Sequence, residues 1–253
     1  MISKTKLKDL AGYRLQKRCE AEDVFVAEGT KLAKEALASS AVIIALCCTE
    51  EWFEQNRSIV VQKVADENFF VVSPEELERI STLKTPNNIW MLIKRTTATG
   101  IEYSFGGLTL VLDKIQDPGN MGTIIRTADW FGIRHIVCSP DTADCFNSKV
   151  VQATMGGIFR TNVHYTDLEE YLNKCQTKNI PVYGAYLSGE NIYDTPLQSR
   201  AALVIGNESK GISDRIGKYV SHKIAIPNTG GTCESLNAAV ATGILCYEFC
   251  RKR

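Results

Sequence analysis

The amino-acid sequence predicts an α/β protein: a parallel sheet covered by helices on both faces, preceded by a smaller α/β domain. Three observations carry that expectation. The 253 residues are 44% hydrophobic and 23% charged, enough apolar material for one large core or two modest ones. Beyond residue 107, continuous apolar strands alternate with helical segments, the pattern of a sheet buried on both sides. Between the halves, KRTTATGIEYSFGG (94–107) is polar, rich in Thr and Gly and without apolar periodicity, as linkers are. The reading therefore divides the chain into domains 1–98 and 99–253.

In the upstream half, Lys4, Lys6, Lys8, Arg14, Lys17 and Arg18 face the single acid Asp9 before Glu20, Glu22, Asp23 and Glu28 reverse the sign. On a helix such a run either meets RNA phosphates or is a solvated face, and the pattern leaves both readings open. Thr30 is placed to cap the helix KLAKEALAS. AVIIALCC reads as a buried strand, SIVVQKVADEN as helix or strand, and NFFVVS with PEELERISTL as strand then helix.

The downstream half is more regular. LTLVLDKI is a strand, 121–131 a helix stopped by Gly132, HIVCS a strand, and 148–159 a helix. A helix over 167–178 follows, then the strands IPVYGAYL and AALVIGNE, a short helix over 214–219, the strand HKIAIP, and a closing helix over 235–249.

Composition narrows the function. Lys plus Arg and Asp plus Glu both total 29, so any nucleic-acid site must be local rather than a product of bulk charge. The longest apolar run, 41–48, is too short to span a bilayer, and MISKTKLKDL carries charge where a signal peptide needs an apolar stretch. A soluble, cytoplasmic chain without a membrane partner is expected. Nine cysteines without a C-x-x-C pair read as reduced, mostly buried thiols. The three histidines, 135, 164 and 222, lack metal-ligand spacing, so no metal is expected. The absence of G-x-x-x-x-G-K-[ST], and of G-x-G-x-x-G after a strand, leaves an NTPase or ordinary dinucleotide enzyme unsupported.

Polar residues crowd the carboxyl ends of three apolar strands, where open α/β sheets bind ligands. After LTLVL, Asp117-Pro118-Gly119-Asn120 makes a tight turn with Asn120 as a candidate cap. Arg126 then lies among Ile124, Ile125, Ala128 and Trp130, where a guanidinium needs a partner. After AALVI, Gly206-Asn207-Glu208-Ser209-Lys210-Gly211 lets a ligand approach the backbone beside a carboxylate. After KIAIP, IPNTGGTCESLN offers two glycines, then Ser235 as N-cap of a helix with free N–H groups and Asn237 in its first turn.

Together, DPGNMGTIIRTADWFG, LVIGNESKGIS and IPNTGGTCESLNAAVATGILCYEF resemble, in order and spacing, the three signature motifs of the SpoU/TrmH family of RNA ribose 2'-O-methyltransferases in the SPOUT superfamily. The interval between Ile-Pro and Ser-Leu-Asn is one residue longer than the family's usual spacing. Upstream, FVAEGTKLAKEAL and the domain around it resemble the ribosomal-protein-like substrate-binding domain of many members. The resemblance implies a SPOUT domain with a trefoil knot, an exception to the rule that chains do not thread loops. It also implies a homodimer packed through the closing helix, an RNA substrate with rRNA favoured over tRNA, and S-adenosylmethionine as cofactor.

By matching position, the cofactor would lie against the backbone at Gly206, Ile226 and Leu236, with Leu187 bordering the pocket. Arg126 would be the central catalytic residue. Because a guanidinium stays protonated in proteins, its expected role is to bind the target phosphate and stabilise the developing alkoxide. Asn120 would orient Arg126 or the ribose, Glu208 would fix Arg126 or a backbone amide, and Ser235 and Asn237 would line the ribose pocket. The rival readings are a non-catalytic RNA-binding relative and a SPOUT enzyme that methylates a base.

Overall fold

The computed structural model describes residues 2–96 and 100–251, so the expected 98/99 boundary lies outside the described residues. Two compact units are present: Met1–Thr96 with Phe146–Phe159, and Thr97–Cys145 with Arg160–Arg253.

In the first unit, α1 (Lys4–Ala11) and α2 (Gln16–Ala21) lead into β1 (Val24–Glu28), α3 (Thr30–Ala38), β2 (Ile43–Cys48), α4 (Glu50–Lys63), β3 (Phe69–Val71), α5 (Pro74–Ile80) and β4 (Ile89–Lys94). The sheet order is β1-β4-β2-β3, with β4 antiparallel to both neighbours and β2 parallel to β3. Neither β1 nor β4 is marked as a strand by sequence pattern. Every residue of the two except Lys94 is buried, so VFVAE and IWMLIK lack the polar alternation of a half-exposed strand. Their side chains alternate between two cores: Phe25, Ala27, Met91 and Ile93 enter one, and Val24, Val26, Trp90 and Leu92 the other.

Two local expectations are corrected here. Thr30 opens α3 instead of capping it; Gly29, at φ 100°, is the cap, and the Thr30 hydroxyl accepts from the Trp52 indole at 3.0 Å. Lys94, read as the start of the linker, closes β4, and Ile101–Gly106 is a short 3-10 helix.

The second unit contains β5 (Leu108–Leu112), α6 (Pro118–Trp130), β6 (His135–Cys138), β7 (Asn162–Tyr165), α8 (Leu168–Thr177), β8 (Val182–Asn191), β9 (Ala201–Ile205), α9 (Asp214–Gly217), β10 (His222–Ala225) and α10 (Ala238–Cys250). Its six strands are all parallel, in the order β10-β8-β9-β5-β6-β7. Val111, Val137 and Val204 pack against Leu172 of α8 and Ile216 of α9. The intervening Leu110, Ile136 and Leu203 are equally buried, as a sheet covered on both faces requires. Edge strand β7 escapes sequence recognition because only His164 of its four residues is fully buried.

Between β6 and β7 the chain joins the first unit through α7 (Ser148–Thr154), and Phe146, Val151 and Phe159 enter the core around Phe25. The helix expected over 148–159 is broken by left-handed Met155 and Gly156, φ 52° and 101°, before a 3-10 turn Gly157–Phe159. All nine cysteines are free and seven are buried; burial pushes the Cys47 and Cys48 thiols up to about 12 and keeps them protonated. Among the described residues no helix is long and apolar enough to cross a membrane.

Candidate active site

Because β10, β8, β9 and β5 are neighbours running in one direction, the loops after them emerge at the same end of the sheet. Three segments far apart in sequence meet there. After β5, the Asp117 carboxylate caps α6 by accepting from the Asn120 backbone N–H at 2.8 Å, with Pro118 in the first turn. The expected cap, Asn120, is instead the third residue of the helix, and its buried side chain points across the sheet end.

That side chain links all three motifs. Its amide NH2 donates to Glu208 Oε1 at 2.9 Å, and its carbonyl oxygen accepts from the Asn237 amide at 2.9 Å. Asn237 Oδ1 accepts in turn from the backbone N–H groups of Ala239 and Val240 at 2.9 and 3.2 Å. Each amide can be oriented only one way: a carboxylate accepts and helix N–H groups donate, so both ends of the chain are fixed. Asn237, not Ser235, is the N-cap of α10, and the closing helix begins at Ala238. Ser235 stands exposed in the preceding loop.

Arg126 sits differently from the expectation. On α6, Met121, Ile124, Ile125 and Ala128 are buried, while Thr123, Arg126 and Trp130 form the solvent face at helical spacing. Among the described residues Arg126 has no hydrogen-bond or ion-pair partner, and Glu208 engages Asn120 and Asn207 rather than Arg126. A guanidinium presented to solvent needs no internal partner and stays available to an anion.

The residues matched to cofactor contacts surround the β9 end. Gly206 packs against its own loop, where a Cβ would fall 2.2 Å from Gly211 C and Ile212 N. β8 pairs with β10 at Lys223–Gly184 and again at Ile224–Glu190, so 185–189 leave the ladder. Leu187, 78% exposed, lies on that excursion, and Gly189 returns so close to Ile224 that a Cβ would meet backbone at 2.6 Å. Half-buried Ile226 follows β10, and Leu236, 49% exposed, precedes α10. The longer motif-three loop closes on itself: Asn228 Oδ1 accepts from Gly230 and Gly231 N–H at 2.9 and 2.8 Å. Exposed Leu187 and Leu236 offer apolar surface that suits a flat neutral ring, so these residues fit the adenosyl part of S-adenosylmethionine.

Sequence reasoning passed over Asn207, which organises the motif-two turn. Its Nδ2 donates to the Lys114 carbonyl at 2.8 Å, and its Oδ1 accepts from Ser209 and Lys210 N–H at 3.0 and 3.1 Å. An Asn directly after a strand-end glycine is the signal that could have found it. The histidines lie apart from this network, although β6–β7 pairing brings His135 Nδ1 to 3.2 Å from His164 Nε2.

A first expected result follows from the amide chain. Asn120→Asp sets a carboxylate against Glu208 where an amide now donates, a repulsion of about 1 kcal/mol for partly exposed groups. The variant should melt roughly 2–4 °C below the parent at pH 7. Protonating either carboxylate relieves the repulsion, so the deficit is full above the carboxylate range and shrinks as pH falls through it. Melting curves at pH 7 and pH 4 check both parts, and an equal deficit at both rejects the assigned orientation.

Residues 107–247 match the SpoU rRNA Methylase family, and since that span exceeds half of the chain, the protein belongs to this family. Residues 4–90 match the MRM3-like substrate binding domain. Among individual relatives, the Bacillus subtilis 23S rRNA (guanosine(2553)-2'-O)-methyltransferase RlmP is 29% identical over 249 residues, 96% of this chain and 95% of its own length. Two solved structures are similar along the whole chain. A TrmH-family protein from Porphyromonas gingivalis has 36% identity and a TM-score of 0.84, with 98% of each chain covered. An AdoMet-bound rRNA methyltransferase from Sinorhizobium meliloti has 27% identity and a TM-score of 0.85, with 98% of this chain and 96% of that one covered.

Proposed function

We propose that this protein transfers the methyl group of S-adenosylmethionine to a ribose 2'-hydroxyl of RNA, with ribosomal RNA as the favoured substrate. The observation that carries the reading is the Glu208–Asn120–Asn237 chain, which joins the three motif segments, together with Arg126 presented to solvent on the same helix as Asn120. When bound, S-adenosylmethionine supplies a methyl group on a positively charged sulfur. The loops at Leu187, Gly206, Ile226 and Leu236 would hold it.

With the cofactor held there, the site would set the ribose 2'-oxygen in line with that methyl group, the sulfur would leave as a neutral thioether, and the hydroxyl proton would pass to a phosphate oxygen of the RNA or another nearby acceptor. Arg126 keeps its proton, binds the target phosphate and opposes the charge growing on the 2'-oxygen. Asn120, Glu208 and Asn237 hold the loops in register, so alignment contributes much of the rate. Ser235 lines the ribose side.

The same reading extends to the rest of the chain. Residues 1–98 serve RNA binding and 99–253 methyl transfer. Within the basic run, Arg18 is engaged by Asp9 and Glu22 at 2.6 and 2.8 Å, Lys6 lies 4.0 Å from Asp9, and Arg14 donates to the Arg79 carbonyl. Exposed Lys4, Lys8 and Lys17 therefore remain for phosphate contacts. The backbone of Ile224 pressed against Gly189, with 185–189 out of the β8–β10 ladder, supports a threaded, knotted backbone. A second copy packs on α10, where Val240 and Tyr247 are exposed in one chain, as is Trp130 of α6. The site of action is the cytoplasm.

The test is an RNA carrying 2'-deoxyribose at the single methylated position, found by mapping 2'-O-methyl sites with and without the gene. It should accept no methyl group. Binding should weaken by no more than about tenfold, since one hydroxyl contributes roughly 0.5–1.5 kcal/mol net. Transfer at a normal rate would make a base atom the acceptor, and an unchanged methylation map would make the protein a non-catalytic RNA binder.

A further inference from the structure

A cavity of about 230 Å³ opens at the carboxyl ends of β5, β6 and β9, between the motif-one and motif-two loops, and includes Lys114, Gln116, Asp141, Asn207 and Lys210. Lys114 and Lys210 are balanced by Asp113 and Asp141 in the same lining, so the cavity offers no net attraction to a phosphate. A balanced mixture of donors and acceptors suits a neutral polar heterocycle. The volume equals roughly seven or eight waters at ~30 Å³ each, below the ~300–1,000 Å³ of pockets for drug-sized ligands. That is space for a single base.

Part of the polar lining is already committed. Asp113 Oδ2 accepts from the Ser213 N–H and hydroxyl at 2.8 and 2.7 Å. Asn207 uses both ends of its amide on the backbone of Lys114, Ser209 and Lys210. Three features stay exchangeable: the Gln116 amide, the Lys210 ammonium, and the ion pair of Lys114 Nζ with Asp141 Oδ2 at 3.2 Å, whose side chains are 50% and 59% exposed. Such a pair adds little stability and opens readily.

A carboxylate beside an ammonium presents two acceptors and then a donor. Guanine matches that row along its Watson–Crick edge, with N2–H and N1–H on the carboxylate and O6 on the ammonium. Adenine would turn its N1 lone pair toward the carboxylate, and neither pyrimidine presents two adjacent donors. The cavity shares the motif-two turn with the transfer site: Asn207 lines it, and the next residue, Glu208, binds Asn120 at 2.9 Å. The geometry points to a base-reading pocket in which Asp141 and Lys114 take the guanine of the nucleotide whose ribose is methylated. This rests on the proposed methyl transfer and adds its base specificity.

The experiment uses the full chain with transcribed 23S rRNA, nucleoside analysis of the product, and transcripts bearing guanosine or inosine at the mapped position. Inosine lacks only the N2 amino group. The product should be 2'-O-methylguanosine, and the parent should prefer guanosine over inosine by at least about tenfold in kcat/KM, the scale of one lost base-edge contact. Asp141→Asn should lower kcat/KM on guanosine about 10- to 100-fold, mainly through KM. It should also erase the preference over inosine and leave S-adenosylmethionine affinity unchanged. The preference is a ratio, so it does not depend on how much variant is folded. A product other than 2'-O-methylguanosine, or an Asp141→Asn enzyme that still discriminates, overturns the pocket while methyl transfer stands. A parent that methylates no ribose overturns the underlying reading and the pocket with it.

Discussion

Arg126→Ala should lower methyl transfer by at least about a hundredfold, the scale of removing one charge-stabilising group from a reaction centre, while S-adenosylmethionine affinity stays nearly unchanged. Two features of the structure separate these effects. The guanidinium has no partner among the described residues and belongs to the solvent face of α6, so its loss leaves no buried group unpaired and should cost little stability. The residues matched to the cofactor lie on β8 or follow β9 and β10, whereas Arg126 lies on the helix after β5. Arg126→Lys keeps the charge but loses the planar fork that grips a phosphate, so it should fall between parent and alanine variant. Single-turnover rates with saturating cofactor, beside calorimetric cofactor titrations, read the two quantities separately. Near-parental turnover in the alanine variant would remove Arg126 from the reaction.

Gly206→Val should abolish cofactor binding, and its origin lies in the protein's own backbone. The residue was expected to be glycine so that a ligand could come close. In the structure the close neighbour is the motif-two turn itself, with Gly211 C, Ile212 N and Gly211 O at 2.2, 2.2 and 2.5 Å from any added Cβ. Backbone cannot rotate away as a side-chain end can, so the turn must open. Opening it threatens the Asn207–Gly211 pairing and, next to it, the Glu208 link to Asn120. The cost lies at or beyond the upper end of the roughly 1–3 kcal/mol typical of overpacking. A lower melting temperature should accompany the lost affinity. Gly211→Ala offers a contrast: its Cβ meets nothing within 4 Å, but its φ is +68°, so it should show only the milder cost of a left-handed alanine. Gly206→Val with parental melting and cofactor affinity would sink the account.

How much of this was readable beforehand depended on what each residue answers to. The second unit's strands other than β7 and the Ser73-Pro74 start of α5 answer to local chemistry: apolar runs alternating with helices, helix capping and the fixed φ of proline. They are visible in a few consecutive residues. β1 and β4 were hidden because a short, fully buried run cannot be told from a buried helix segment by periodicity alone. Arg126 was misread in its surroundings because an apolar neighbourhood in sequence becomes one stripe of a helix in space. A residue between Ile125 and Ala128 can still face water.

The sequence by itself determined the α/β class, the parallel second sheet, the three polar loops at strand ends and the residue types placed in them, because apolar pattern, caps and turn chemistry act over short stretches. Only the tertiary structure decided that Asn120 spans from Glu208 to Asn237, that Ser235 is passed over as the cap of α10, that Gly206 makes room for its own turn, and that Lys114 stands beside Asp141. Those contacts join residues 27 to 117 positions apart or set backbone against backbone. They exist because the strand order β10-β8-β9-β5-β6 brings five strand ends together, and strand order is chosen by the packing of the whole sheet rather than by any one segment.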